Sequence, residues 1–181
     1  TGNSLWRDIK VYADHAFIVS EAGGHGMQVF DLTELRDVVT PPVTFTETAH
    51  YDAFGSSHNI VINEESGFAY PVGTSLYQGG PVFVNIQDPT NPIAAGGYDA
   101  DGYTHDAQVV NYNGPDMDWQ GKEICFACNA DTFTIIDVAD KNDPAEISRT
   151  GYDEVGYTHQ GWLSEDHRYF FIGDEGDENN G

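Results

Sequence analysis

Apolar positions in this chain fall in short runs rich in Val, Ile, Phe and Tyr. Clusters of Gly, Pro, Asp and Asn bound them, which is the pattern of short β-strands separated by turns. No segment keeps a 3.6-residue apolar period over several turns, so helix is expected to be scarce. Thr33–Val38 is the nearest candidate, at about one turn.

The runs repeat. Gly55-Ser56-Ser57-His58-Asn59 returns as Gly102-Tyr103-Thr104-His105-Asp106 and as Gly156-Tyr157-Thr158-His159-Gln160. A weaker first copy, Leu5-Trp6-Arg7-Asp8, carries Arg7 at the His position. Each copy predicts a first strand after that position: Ile9–Tyr12, Ile60–Asn63, Ala107–Val110 and Gly161–Leu163. Second strands are expected at Ala16–Ser20, Phe68–Val72, Glu123–Ala127 and Tyr169–Gly173, and third strands at Met27–Leu32, Val82–Ile86 and Phe133–Val138. Fourth strands are expected near Val43–Thr48, Ile93–Tyr98 and Glu146–Tyr152, after Asp/Pro turns such as Asp88–Pro92 and Asp140–Pro144.

Four strands in roughly 47–54 residues match the size of a β-propeller blade. A β-sandwich also has short strands and frequent turns, but it does not explain a motif that returns at blade spacing. The expected fold is therefore all-β: a β-propeller of four-stranded antiparallel blades, present as about three and a half blades of a partial ring. The blades are placed at about 5–54, 55–101, 102–155 and 156–181, the last incomplete, in one partial propeller domain spanning 1–181. A chain that starts at a first strand and stops mid-blade reads as part of a longer protein, its ring completed by remaining blades of the same protein or by a neighbouring chain.

Charge narrows the partners. Seven basic residues face 30 acidic ones, for a net charge of −23. That balance opposes nucleic acid and anionic membrane surfaces, and favours cations. There is no apolar run long enough to span a membrane, and no basic-then-apolar leader. The two cysteines, Cys125 and Cys128, make no disulfide framework. Three apart on a strand, they point to opposite faces, with Cys125 expected in the core and Cys128 toward the channel face.

Several stretches together resemble the secreted propellers of LVIVD-type repeats known as the choice-of-anchor B family. They are Ser4–Tyr12, His25–Leu32, Ser57–Ile60, Asp101–Asp106 and Tyr157–Leu163, and Thr134-Ile135-Ile136-Asp137-Val138 is similar to the motif that names the repeat. The resemblance implies an exported or surface-anchored protein, extracellular or at the cell surface, with a variable C-terminal anchor. It implies almost nothing about chemistry.

The candidate chemistry lies in the repeated histidines. His58, His105 and His159 head successive first strands, which puts them on one face around the channel. Neutral imidazoles gathered there suit a transition metal such as Zn or Cu. The competing reading makes each His a structural staple bonded to a neighbouring carbonyl or carboxylate. Glu21, Asp174 and Glu175 follow second strands, on the same face, and could share a cation with the histidines, Ca²⁺ being suited to the acidic stretch from Asp174. An insertion in the third copy carries Asp116, Asp118 and Trp119. A loop that departs from the repeat is a ligand-binding candidate, for example for sugar stacking.

No Walker loop, dinucleotide fingerprint or nucleophile elbow is present, so no nucleotide cofactor is expected. The sequence favours a binding or scaffold module for cations, surface glycans or proteins. The alternatives are a metalloenzyme with a His-lined channel, acting as oxidoreductase or hydrolase, and a structural component of a surface assembly or filament.

Overall fold

A computed structural model describes residues 3–176. The described chain is all-β, with single 3-10 turns at Leu32–Leu35 and Tyr77–Gly79. The first sheet holds β1 (Arg7–Tyr12), β2 (His15–Ser20), β3 (Met27–Asp31) and β4 (Ala49–Tyr51). The second holds β5 (Asn59–Asn63), β6 (Phe68–Val72), β7 (Val82–Asn85) and β8 (Ile93–Gly97). In the third are β9 (Asp106–Asn111), β10 (Glu123–Cys128), β11 (Phe133–Asp137) and β12 (Ala145–Thr150). β13 (Thr158–Leu163) and β14 (Phe170–Asp174) form a two-stranded fourth sheet among the described residues. Neighbours in every sheet are consecutive in sequence and antiparallel.

Local chemistry explains the tight connections. Ala13 and Asp14 both have positive φ, 47° and 61°, between the paired residues Tyr12 and His15. Positive φ at both central residues is the two-residue hairpin turn whose twist matches the flanking strands.

Consecutive residues of a strand serve different interfaces, because side chains alternate across a sheet. Ile60 joins Phe17, Val19, Met27 and Val29 between the first and second sheets. Its neighbour Val61 joins Tyr70, Phe83, Val109 and Cys125 between the second and third. β10 is buried along its whole length for the same reason. Cys125 and Ala127 face the second sheet, while Ile124, Phe126 and Cys128 pack with Leu163 toward the fourth. The first strands β1, β5, β9 and β13 lie beside one another in chain order.

Three expectations change. The fourth strand of the first sheet is Ala49–Tyr51 rather than Val43–Thr48. Phe45 instead packs its ring on Phe30 at 5.3 Å, and backbone pairing begins where Thr48 N–H donates to Val29 O at 2.7 Å. The turn after β3 is a 3-10 turn at Leu32–Leu35, capped by the Asp31 carboxylate on Thr33 N–H. Cys128 is fully buried rather than on a channel face, and burial pushes its thiol up to about 12. Burial also raises Cys125. No helix among the described residues is long and apolar enough to cross a membrane.

Candidate functional site

A Ser or Thr precedes each repeated histidine, and it is this residue that hooks one sheet to the next. Ser57 N–H donates to Ser20 O at 3.0 Å, Thr104 N–H to Gly79 O at 3.1 Å and Thr158 N–H to Ala130 O at 2.7 Å. Ser57, Thr104 and Thr158 are all buried. The hook fixes the start of each first strand and thereby aims the histidine that follows.

His58, His105 and His159 form a column. The rings of His58 and His105 lie 4.1 Å apart, and those of His105 and His159 4.2 Å, tilted by 48° and 37°. His58 Nδ1 donates to Glu21 Oε1 at 2.6 Å, and His105 Nδ1 donates to His159 O at 2.8 Å. His159 Nε2 lies 3.7 Å from Glu175 Oε2. The staple reading and the site reading therefore meet in the same residues. The Nδ1 bonds pin the rings of His58 and His105.

A cleft of about 370 Å³ opens over this column. Besides the three histidines it is lined by Trp6, Tyr103, Tyr157, Glu21 and Glu175. Tyr157 stands edge-on to His105 at 5.3 Å, and Tyr103 lies 6.4 Å from both His58 and His105. Burial first, then the neighbouring Tyr157 and Glu21, push the Tyr103 phenol up to about 12. Tyr157 is raised by burial and by Glu175 and Glu21. Two phenols and two carboxylates thus converge on one opening, and no Lys or Arg is among the described residues that line it.

The six residues expected around a cation divide in two. His58, His105, His159, Glu21 and Glu175 do meet at one cleft. Asp174 does not line it; protein donors take up its carboxylate. Its Oδ1 accepts from Tyr157 N–H and Gly176 N–H, and its Oδ2 from Tyr152 OH and Gly156 N–H. These bonds hold the Asp174 carboxyl well below its ordinary range, with the Tyr152 hydroxyl foremost. Asp174 is a clasp for the loop that carries Tyr157. Among the described residues, no group of three or more His, Cys, Asp or Glu side chains is arranged to hold one metal ion.

The insertion loop behaves differently from a free ligand loop. Trp119 packs at the third-to-fourth sheet interface, with Lys122 Nζ 4.6 Å above its ring. Asp116 Oδ1 accepts from Asp118 N–H at 3.1 Å, which closes the loop on itself. Trp119 also lines a cleft of about 210 Å³ with Tyr112, Ile135 and Phe170.

Sequence reasoning missed Trp6, Tyr103 and Tyr157. The two tyrosines carried a signal, since both stand two residues before the histidine in Gly-Tyr-Thr-His. Trp6 carried none. Sequence comparison of the chain with family models and with curated proteins finds no match.

The column makes stability depend on pH. His105 titrates below its ordinary 6.5, because burial disfavours its cation and the charges of His58 and His159 add to that, against the opposing bond to the His159 carbonyl. The unfolded chain therefore binds this proton more readily than the folded one. The contribution is fully present above pH 6.5 and is lost as the pH falls through the lowered value. Thermal melts between about pH 7.5 and 5 are expected to show a falling melting temperature. The slope is expected to be shallower in His105→Phe; an identical slope would rule out this cause.

Proposed function

We propose that this chain forms about three and a half blades of an antiparallel β-propeller and works as an exported or surface-associated binding module. Face-to-face packing of consecutive four-stranded sheets, with their first strands side by side, supports the propeller reading. The resemblance to choice-of-anchor B proteins supports export and an extracellular or cell-surface location.

One observation carries the binding role: the cleft over the histidine column gathers aromatic rings and carboxylates with no lysine or arginine among its described lining residues. A concave site with aromatic walls and a few convergent polar groups is the usual form of a small-ligand site. Its proposed partners are cations, surface glycans or proteins, with cationic groups favoured by the two carboxylates. The net charge of −23 draws such ligands toward the surface.

Titration of isotopically labelled protein with calcium, methyl glycosides and organic cations tests this. Amide shifts are expected to cluster at Tyr103, His105, Tyr157 and His159 for at least one ligand. Saturating additions of all three classes without a shift there would sink the reading.

A metalloenzyme is the second reading, and one observation favours it. Histidines that bind metals usually donate their other N–H to a carboxylate or carbonyl, as His58 and His105 do. Elemental analysis of natively purified protein distinguishes the two. A stoichiometric transition metal that disappears in His105→Ala supports the enzyme; metal-free protein removes it.

A further inference from the structure

We infer that the cleft over the histidine column takes an alkylated ammonium group, of the trimethylammonium kind, between Trp6, Tyr103 and Tyr157, with Glu21 and Glu175 supplying the opposite charge. This rests on the binding reading and goes further by naming the ligand's chemical class.

The choice among cations follows from what the walls offer. A calcium ion needs about six to eight oxygen ligands, and a transition metal needs several nitrogen, sulfur or oxygen donors around one point. Among the described residues no such group exists. One Glu21 oxygen already accepts from His58, and the Glu175 side chain is 64% exposed. A small, strongly hydrated ion would exchange its water shell for two carboxylates, one of them in open solvent, and would gain little.

An alkylated ammonium asks for something else. Its charge is spread over methyl groups, its hydration is weak, and an aromatic face within about 6 Å attracts it through the ring quadrupole. Trp6 is the strongest such platform, and it stands 54% exposed at the rim. Tyr103 is 38% exposed and Tyr157 is half-buried beside it. Glu21 acts on both phenols and Glu175 on that of Tyr157, and all four side chains line the one cleft, so the rings and the negative charge occupy the same space. The volume of about 370 Å³ admits one such head group with room for its substituent. Exposed tryptophan at the rim of an acidic cleft thereby acquires a role that packing does not give it.

Choline is the probe, and 3,3-dimethylbutan-1-ol, the same shape without the charge, is its control. Calorimetry and labelled-protein spectra are run with both on the whole chain. Choline is expected to saturate the cleft, shifting the Trp6 indole N–H, and the neutral alcohol to bind about 10-fold more weakly, equivalent to about 1.4 kcal/mol. Trp6→Ala is expected to weaken choline by a similar factor; because Trp6 is exposed, the variant should keep the wild-type melting temperature. Tyr103→Leu is the second variant, reading the same loss at another wall. Equal binding of choline and the alcohol overturns the inference, as does choline binding that Trp6→Ala leaves unchanged. If choline fails while calcium or a methyl glycoside shifts the cleft resonances, the ammonium assignment falls and the binding reading stands. If none of them shifts these resonances, both fall.

Discussion

Glu123→Ala is expected to cost about 3–5 kcal/mol of folding stability, the usual loss when one partner of a buried ion pair is removed. Glu123 lies on β10 and reaches across to the second sheet. Its Oε1 accepts from Asn63 Nδ2 at 2.7 Å, Ser66 Oγ at 2.5 Å and Tyr70 OH at 2.7 Å. Its Oε2 pairs with Lys141 Nζ at 2.7 Å, with side-chain exposures of 10% for Lys141 and 8% for Glu123. Alanine would take the acceptor from the Tyr70 hydroxyl and the counter-charge from the Lys141 ammonium, which would keep only its bond to Val138 O, while Asn63 and Ser66 would fall back on Asn111 Oδ1 and Asn63 O. Chemical denaturation measures the loss. Adding Lys141→Met to the alanine variant is expected to recover part of it, because the orphaned charge is then gone. A loss below about 1 kcal/mol would mean water replaces the carboxylate without strain. Burial alone would raise the Glu123 carboxyl, but the bonds from Lys141, Ser66 and Tyr70 outweigh it and hold it below 4.5. Its stabilising contribution is thus present above pH 4.5 and is lost as the pH falls through the lowered value.

Asp101→Ala is expected to cost about 3 kcal/mol, since hydrogen bonds to a charged acceptor contribute about 1.5–3 kcal/mol each and overlap in effect. Asp101 Oδ2 accepts from Asn129 Nδ2 at 2.7 Å, from Thr132 Oγ1 at 2.8 Å and from Thr134 Oγ1. Arg149 Nη1 reaches Oδ1 at 2.9 Å. Asn129 and Thr134 are buried, so their donors would lose a partner away from water. This variant also reads on the cleft, because Asp101 anchors the segment leading through Tyr103 to His105. Asp101→Ala is expected to shift the Tyr103 and His105 resonances, and Asp101→Asn to shift them less. Unchanged cleft resonances in the alanine variant would separate this anchor from the site.

Most strands were legible because burial on alternating faces leaves alternation and β-branched runs in the sequence; β6, Phe68–Val72, falls where the pattern predicts it. β4 was not legible. Val43, Phe45 and Thr46 look like strand residues, but Phe45 serves Phe30 through its ring, and the two prolines at 41 and 42 have no N–H to lend a ladder. The histidine column was legible because the Ser or Thr hook that precedes each histidine recurs at every sheet junction and so repeats in sequence. Glu123 and its donors were not, since they lie on different sheets and share no motif. Asp174 read as a metal candidate because its acidity is visible in the sequence, whereas the four donors around it are mostly backbone N–H groups, which no sequence displays.

The hooks at Ser57, Thr104 and Thr158 bear on how the chain reaches this structure. Within each sheet every strand pairs with its immediate predecessor, and each hook joins a new sheet to the one just completed. Closing such short loops costs little chain entropy, so pairing is local for a β protein and assembly is fast relative to folds with distant partners. A finished sheet presents a carbonyl that captures the first strand of the next. During synthesis, the order of these sheets along the chain is then expected to become an order in time, each finished sheet offering the template on which its successor condenses.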